Sequence, residues 1–129
     1  MENIDPYLEL AKKHPSILMR SVWTGETIDH VGCELAIGLG WLGIVDDLCT
    51  KIEQVLAGMP EEVRIGFYAQ QVKEKFGGLR FYTTYGSDEI EELISEAEKK
   101  SFNTCEVCGE PGERRGKGWV QTLCETHTA

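Results

Sequence analysis

The sequence predicts an α+β fold: helices packed on a small antiparallel β-hairpin or sheet, ending in a C-terminal zinc knuckle of the zinc-ribbon or treble-clef kind. Three observations carry this. One long segment repeats apolar residues at three- and four-residue spacing. Two short segments rich in alternating apolar and aromatic residues flank a Gly-Gly. Three of the five Cys fall after residue 104, beside a His. At 129 residues the chain divides into an α+β body, residues 1–104, and a knuckle, residues 105–129, packed on it. Hydrophobic residues at 41% and charged residues at 27% give it a core and exclude wholesale disorder.

Asp5-Pro6 opens the first helix, because Asp caps and Pro suits the first helical position. Tyr7, Leu8 and Leu10 give it an apolar face, and His14-Pro15 ends it. Residues 20–34 lack helical period and read as a loop or a short strand. Trp41, Ile44, Val45, Leu48, Cys49, Ile52, Val55 and Leu56 form the stripe of an amphipathic helix, which Gly58-Met59-Pro60 stops. Val63, Ile65, Phe67 and Ala69 alternate with polar or small residues and predict a strand. Leu79 to Tyr85 predicts a second, with Gly77-Gly78 in the turn before it and Lys73, Glu74 and Lys75 near the connection. Ser87 or Asp88 caps a third helix, whose stripe is Ile90, Leu93, Ile94 and Ala97. Its acids come early and Lys99-Lys100 late, as the helix dipole favours.

Acidic residues number 22 and basic residues 13, a net charge of −9. That balance argues against a general binder of phosphate backbones. No signal-peptide pattern opens the chain, and the apolar run from Leu35 to Val45 is too short to span a bilayer. The chain reads as cytoplasmic, with no membrane partner. In a reducing cytosol, close Cys pairs read as metal ligands rather than disulfides.

Cys105-Glu106-Val107-Cys108-Gly109 is a CxxCG knuckle and Cys124-Glu125-Thr126-His127 a CxxH pair. Two close pairs joined by a hairpin-sized loop match structural zinc spacing. The two residues between ligands let the backbone fold round one ion, and the Gly permits the sharp turn. Three sulfurs and one nitrogen fill a tetrahedron, so the expectation is one structural zinc per chain, held by Cys105, Cys108, Cys124 and His127. A full ligand set leaves no open position for zinc chemistry.

No catalytic set is evident. His30 and Cys33 are three residues apart without an orienting partner, and Cys49 lies on a helical stripe. His30-Val31-Gly32-Cys33-Glu34 has the elements of a deaminase motif in the wrong spacing. Gly38 to Gly43 spells GxGxxG, but no β-rich strand precedes it and no base is nearby; it reads as a chance match. Arg64, Lys73, Lys75 and Arg80 interleave with Tyr68, Phe76, Phe81 and Tyr82. A strand pair displaying such residues can stack bases or grip a phosphorylated ligand; the plainer reading is a solvated face. Arg114, Arg115 and Lys117 form a second small basic patch in the zinc loop. Candidate partner-binding residues are therefore Arg64, Lys73, Lys75, Arg80, Tyr82, Arg114, Arg115 and Lys117.

The segments QVKEKFGGLRFY, AEKKS and TCEVCGEPG…GW…TLCETH, with GWLGIVDDLCTKIE before them, resemble a family of small, largely uncharacterised bacterial and bacteriophage proteins with a terminal cysteine knuckle. The resemblance runs from about residue 40 to residue 127. It implies an intracellular, phage-associated zinc-binding domain and brings no known reaction. Together the readings give a small acidic zinc protein, not an enzyme, that acts by binding a host or phage protein; inhibition of a host nuclease or defence system is the sharp form. The alternative is a nucleic-acid or nucleotide binder using the Lys73–Tyr82 hairpin.

Overall fold

The structure, a computed structural model, describes residues 4–128. Helix α1 (Pro6–Lys13) starts where Asp5 Oδ1 accepts the Tyr7 and Leu8 amides at 3.0 and 3.3 Å. A short α2 (Pro15–Leu18) follows, then strand β1 (Glu34–Ala36) and a 3-10 turn, Leu39–Trp41, that leads into α3 (Leu42–Leu56). Next come α4 (Glu61–Gly66), β2 (Ala69–Lys75), β3 (Gly78–Thr83) and α5 (Asp88–Ser101). The chain ends with β4 (Glu113–Arg115), β5 (Gln121–Leu123) and a 3-10 turn, Glu125–His127.

The fold is α+β. β2 and β3 form the expected antiparallel hairpin, but the sheet is mixed, because β1 adds parallel to β2 through Leu35–Val72. A second, two-stranded sheet pairs β4 with β5 antiparallel. α3 and α5 pack on one another and α5 packs on β3. Their apolar stripes and the inner face of the sheet close one core: Ile44, Val45, Leu48 and Ile52 of α3 meet Val72, Leu79, Phe81 and Ile90. Each such buried side chain contributes about 1.5–3 kcal/mol of hydrophobic stabilisation. Ser87 caps α5, its hydroxyl accepting the Ile90 amide at 3.3 Å.

The first predicted strand lies elsewhere. Val63 and Ile65 belong to α4, which Pro60 precedes and whose first turn carries Glu61 and Glu62. Pro at the helix start and acids in its first turn outweigh a short alternation. The strand begins only at Ala69. Its pattern is hard to read because the pairing with β3 shifts register between Ala69 and Gln71, so Ala69 and Val72 are both buried although three residues apart.

Two polar residues hold the N-terminal segment to this core. His14 is buried; its Nδ1 lies 2.7 Å from Glu53 Oε1 and its Nε2 2.6 Å from Asp46 Oδ1, both on α3. Arg20 spends its guanidinium on the carbonyls of Ser16, Gly25 and Ile65 and stacks over Tyr68. Among the described residues no helix is long and apolar enough to cross a membrane.

Candidate metal centre

The four ligands come from two backbone turns. Cys105 follows α5, and Gly109 closes the CxxCG turn at a φ of 84°, which a side chain would strain. Cys124 follows β5, and the 3-10 turn after it brings His127 back, with the His127 amide donating to the Cys124 carbonyl at 3.2 Å. The β4–β5 hairpin spans the interval between the pairs. Arg115 Nε donates to the Leu123 carbonyl at 2.9 Å, fixing the strand end next to Cys124.

The ligand atoms of Cys105, Cys108, Cys124 and His127 all lie within 4.8 Å of one another. Cys108 and Cys124 sulfurs are 3.7 Å apart, and His127 Nδ1 is 3.7 Å from the Cys105 sulfur and 3.1 Å from that of Cys124. Zn–S bonds of about 2.3 Å at tetrahedral angles put sulfurs about 3.7 Å apart. The pocket thus fits one tetrahedral ion, and none of its cysteines is in a disulfide.

Electrostatics favour thiolates at two of the sulfurs. Burial opposes ionisation of Cys105, but hydrogen bonds from the amides of Cys124, Cys108 and Val107 outweigh it and bring the thiol down to about 6. Cys124 is also lowered: burial resists, and the amide and ring of His127 prevail. The reverse holds at Cys33 and Cys49, outside the cluster. Burial pushes Cys33 up to about 11 and Cys49 well above its ordinary value. His30 is not turned to Cys33; its Nδ1 lies 3.0 Å from Asp29 Oδ1.

The glycine run that spells GxGxxG is the seat of the knuckle. Gly40 N donates to the Glu106 carbonyl at 2.7 Å, and Gly38 N to the Glu106 carboxylate at 2.9 Å. A methyl group at Gly40 would overlap the Cys105 carbonyl, and one at Gly38 the Glu106 carbonyl. Trp41, fully buried, donates from its indole to the Thr104 carbonyl at 2.8 Å. Three residues before α3 therefore lock the metal turn to the core. Burial raises the Glu106 carboxyl above its ordinary value, against the pull of the Gly38 amide.

The predicted basic residues do not form one face. Arg64 sits on α4, lining a cavity with Ser16, Arg20, Glu53 and Glu61. Lys73 pairs across the sheet with Arg80, and Gln71 with Tyr82, on the side opposite buried Val72 and Phe81. Arg80 is spent on Glu98 of α5. Phe81 faces the core and Tyr68 lies under Arg20, so neither joins an exposed aromatic row. Lys75 and Arg114 instead each touch Phe76 at the β2–β3 turn: Lys75 Nζ lies 5.6 Å from the ring centroid, and Arg114 stacks over Phe102 and donates to the Phe76 carbonyl at 2.8 Å. Lys117 lies in the β4–β5 turn. Gly38, Gly40 and Trp41 were not singled out as site residues by the sequence, although the first two stood in a recognisable pattern. Comparison of the chain with protein-family models, curated proteins and solved structures finds no match.

Proposed function

We propose that the protein is a small, non-catalytic zinc-binding protein that acts by binding a partner protein. The observation that carries this is the completeness of the metal centre: four side chains of the chain itself supply a tetrahedral donor set. Three sulfurs and one imidazole nitrogen suit zinc, which takes such sets tetrahedrally, and a filled tetrahedron is the structural rather than the catalytic arrangement. The buried Cys33 thiol, raised to about 11, is a poor nucleophile at neutral pH.

The zinc would hold the β4–β5 hairpin against the body and present it to a partner. In its sharper form, drawn from the resemblance to phage proteins, that partner is a host nuclease or defence protein. A nucleic-acid partner has one observation in its favour. The two hairpins hold six of the thirteen bases and only two of the twenty-two acids. Protein purified without chelator should carry about one zinc per chain and recover a stoichiometric partner from its native cells. Another metal, or no metal, would overturn the zinc assignment; the absence of a stoichiometric partner would overturn the binding role.

A further inference from the structure

β2 and β3 are joined by a two-residue turn, Phe76-Gly77, since Lys75 pairs directly with Gly78. Both turn residues have positive φ, 54° and 81°, as a type I′ turn requires. That turn favours Asn or Gly at its first position and is unfavourable for phenylalanine. The Phe76 ring does not recover the cost by burial: it is 61% exposed, with Lys75 Nζ 5.6 Å from its centroid. In the β4–β5 turn, Lys117 lies between Gly116 and Gly118, and Trp119 beside them is 77% exposed.

The two turns are fixed to one another. Thr122, fully buried, donates its hydroxyl to the Gly77 carbonyl at 2.5 Å, and Arg114 holds the Phe76 carbonyl. Val120 Cγ1 would lie 3.3 Å from a methyl group at Gly77. Phe76 therefore lies next to Gly77 and Trp119 next to Val120 on either side of this contact, with Lys75 against the Phe76 ring and Lys117 two residues before Trp119 in the chain. Counted along the chain, both hairpins are net basic in a protein of net charge −9; the single acid of β2–β3, Glu74, is spent on the Gly77 amide at 2.7 Å.

We propose that this two-turn surface is the docking site for an acidic protein. Phe76 and Trp119 enter apolar pockets on it, and Lys75 and Lys117 meet the carboxylates round their rim. This rests on the partner-binding reading above and names where the partner sits and what chemistry it presents. Exposed aromatics on rigid turns are the usual anchors of protein interfaces, because little side-chain and loop freedom remains to be lost. Charge complementarity gives the partner's sign. A nucleic acid shares that sign, but its charge continues along the strand beyond the patch and onto the acidic body. A protein's acidic rim is bounded and avoids that repulsion.

The test uses the full metal-loaded chain in its native cells, with a photocrosslinking side chain at position 119. A control carries it at position 23, where Trp23 is 92% exposed on another loop. The protein crosslinked only from position 119 is purified and titrated against wild type, Trp119→Ala, Phe76→Gly and the double variant Lys75→Glu/Lys117→Glu. The expected result is at least about 30-fold weaker binding for Trp119→Ala and for the charge reversal, with unfolding midpoints like wild type. Phe76→Gly should bind more weakly while unfolding at a higher temperature, which a purely structural role for the ring would not give. Equal affinity across the variants would overturn the surface and leave the partner reading standing. No specific crosslink from either position, with no partner recovered by co-purification, would overturn both. Labelled single-stranded DNA or RNA binding with the same variant sensitivity would replace the protein by a nucleic acid.

Discussion

The body and the C-terminal unit are stabilised in different ways. The body buries a continuous apolar cluster, from Leu10 and Ile17 through Trp41, Ile52 and Phe67 to Ile90. Among the described residues after Thr104, only Cys105, Thr122 and Cys124 are buried, and two of these belong to the candidate metal cluster. The unit has too little apolar surface to fold as the body does. What holds it is a four-residue cluster able to bind one ion, together with polar contacts to the body: Gly38, Gly40 and Trp41 on one side, Gly77 and Phe76 on the other. The contrast shows how a small chain can present a rigid hairpin without building it a core.

The contrast is broken most completely at the ion. Cys105→Ser should drop metal content from about one per chain to near zero while α3 and α5 keep their helical circular dichroism. Metal analysis of the purified variant checks this. The converse change acts on the body alone. Phe67→Ala, at a fully buried ring, should cost about 3–5 kcal/mol in urea unfolding yet leave native protein with its full metal content. Retention of metal in the first variant, or its loss in native Phe67→Ala, would erase the distinction.

Gly40→Ala tests the joint between the two regions. Its methyl group meets a backbone carbonyl that is itself part of the metal turn, so it should cost about 1–3 kcal/mol. Competition with a chromophoric chelator should show weaker metal binding. The smallest effect concerns the body and pH. The hydrogen bond from His14 holds the Asp46 carboxyl below its ordinary 3.8. A lowered carboxylate stabilises the fold above its unfolded value and loses that contribution as pH falls through the folded one. Wild type should therefore exceed Asp46→Asn in stability at pH 7 by under about 1 kcal/mol, since the pair is partly exposed. The margin should begin to shrink near pH 3.8 and disappear only below the lower folded value, and an advantage that grows as pH falls through this range would contradict the assignment.

What could be read from the sequence follows from range. α3 was legible because its stripe repeats over the whole helix, and the ligands because their spacing is local and chemically particular. β2 was not, because a register shift spoils its alternation, nor was α4, whose few residues fit two periods. Gly38 and Gly40 do their work against residues 105–109, far away in sequence, and nothing local marks that approach. Arg20 is hidden for the same reason, since its partners are backbone carbonyls rather than an acidic side chain. The eight predicted basic and aromatic site residues were identifiable as types, but which are spent on Glu98, Phe102 or Leu123 depends on tertiary contacts.

If one ion organises the C-terminal unit, and only that unit, the body must fold without it. Amide hydrogen exchange of the whole chain, before and after metal removal by a chelator, tests it most directly. Loss of protection should be confined to residues 104–128 and the Gly38–Trp41 seat, with α3, α5 and the β2–β3 ladder unchanged. Unaltered protection across residues 104–128, or loss throughout the core, would contradict it.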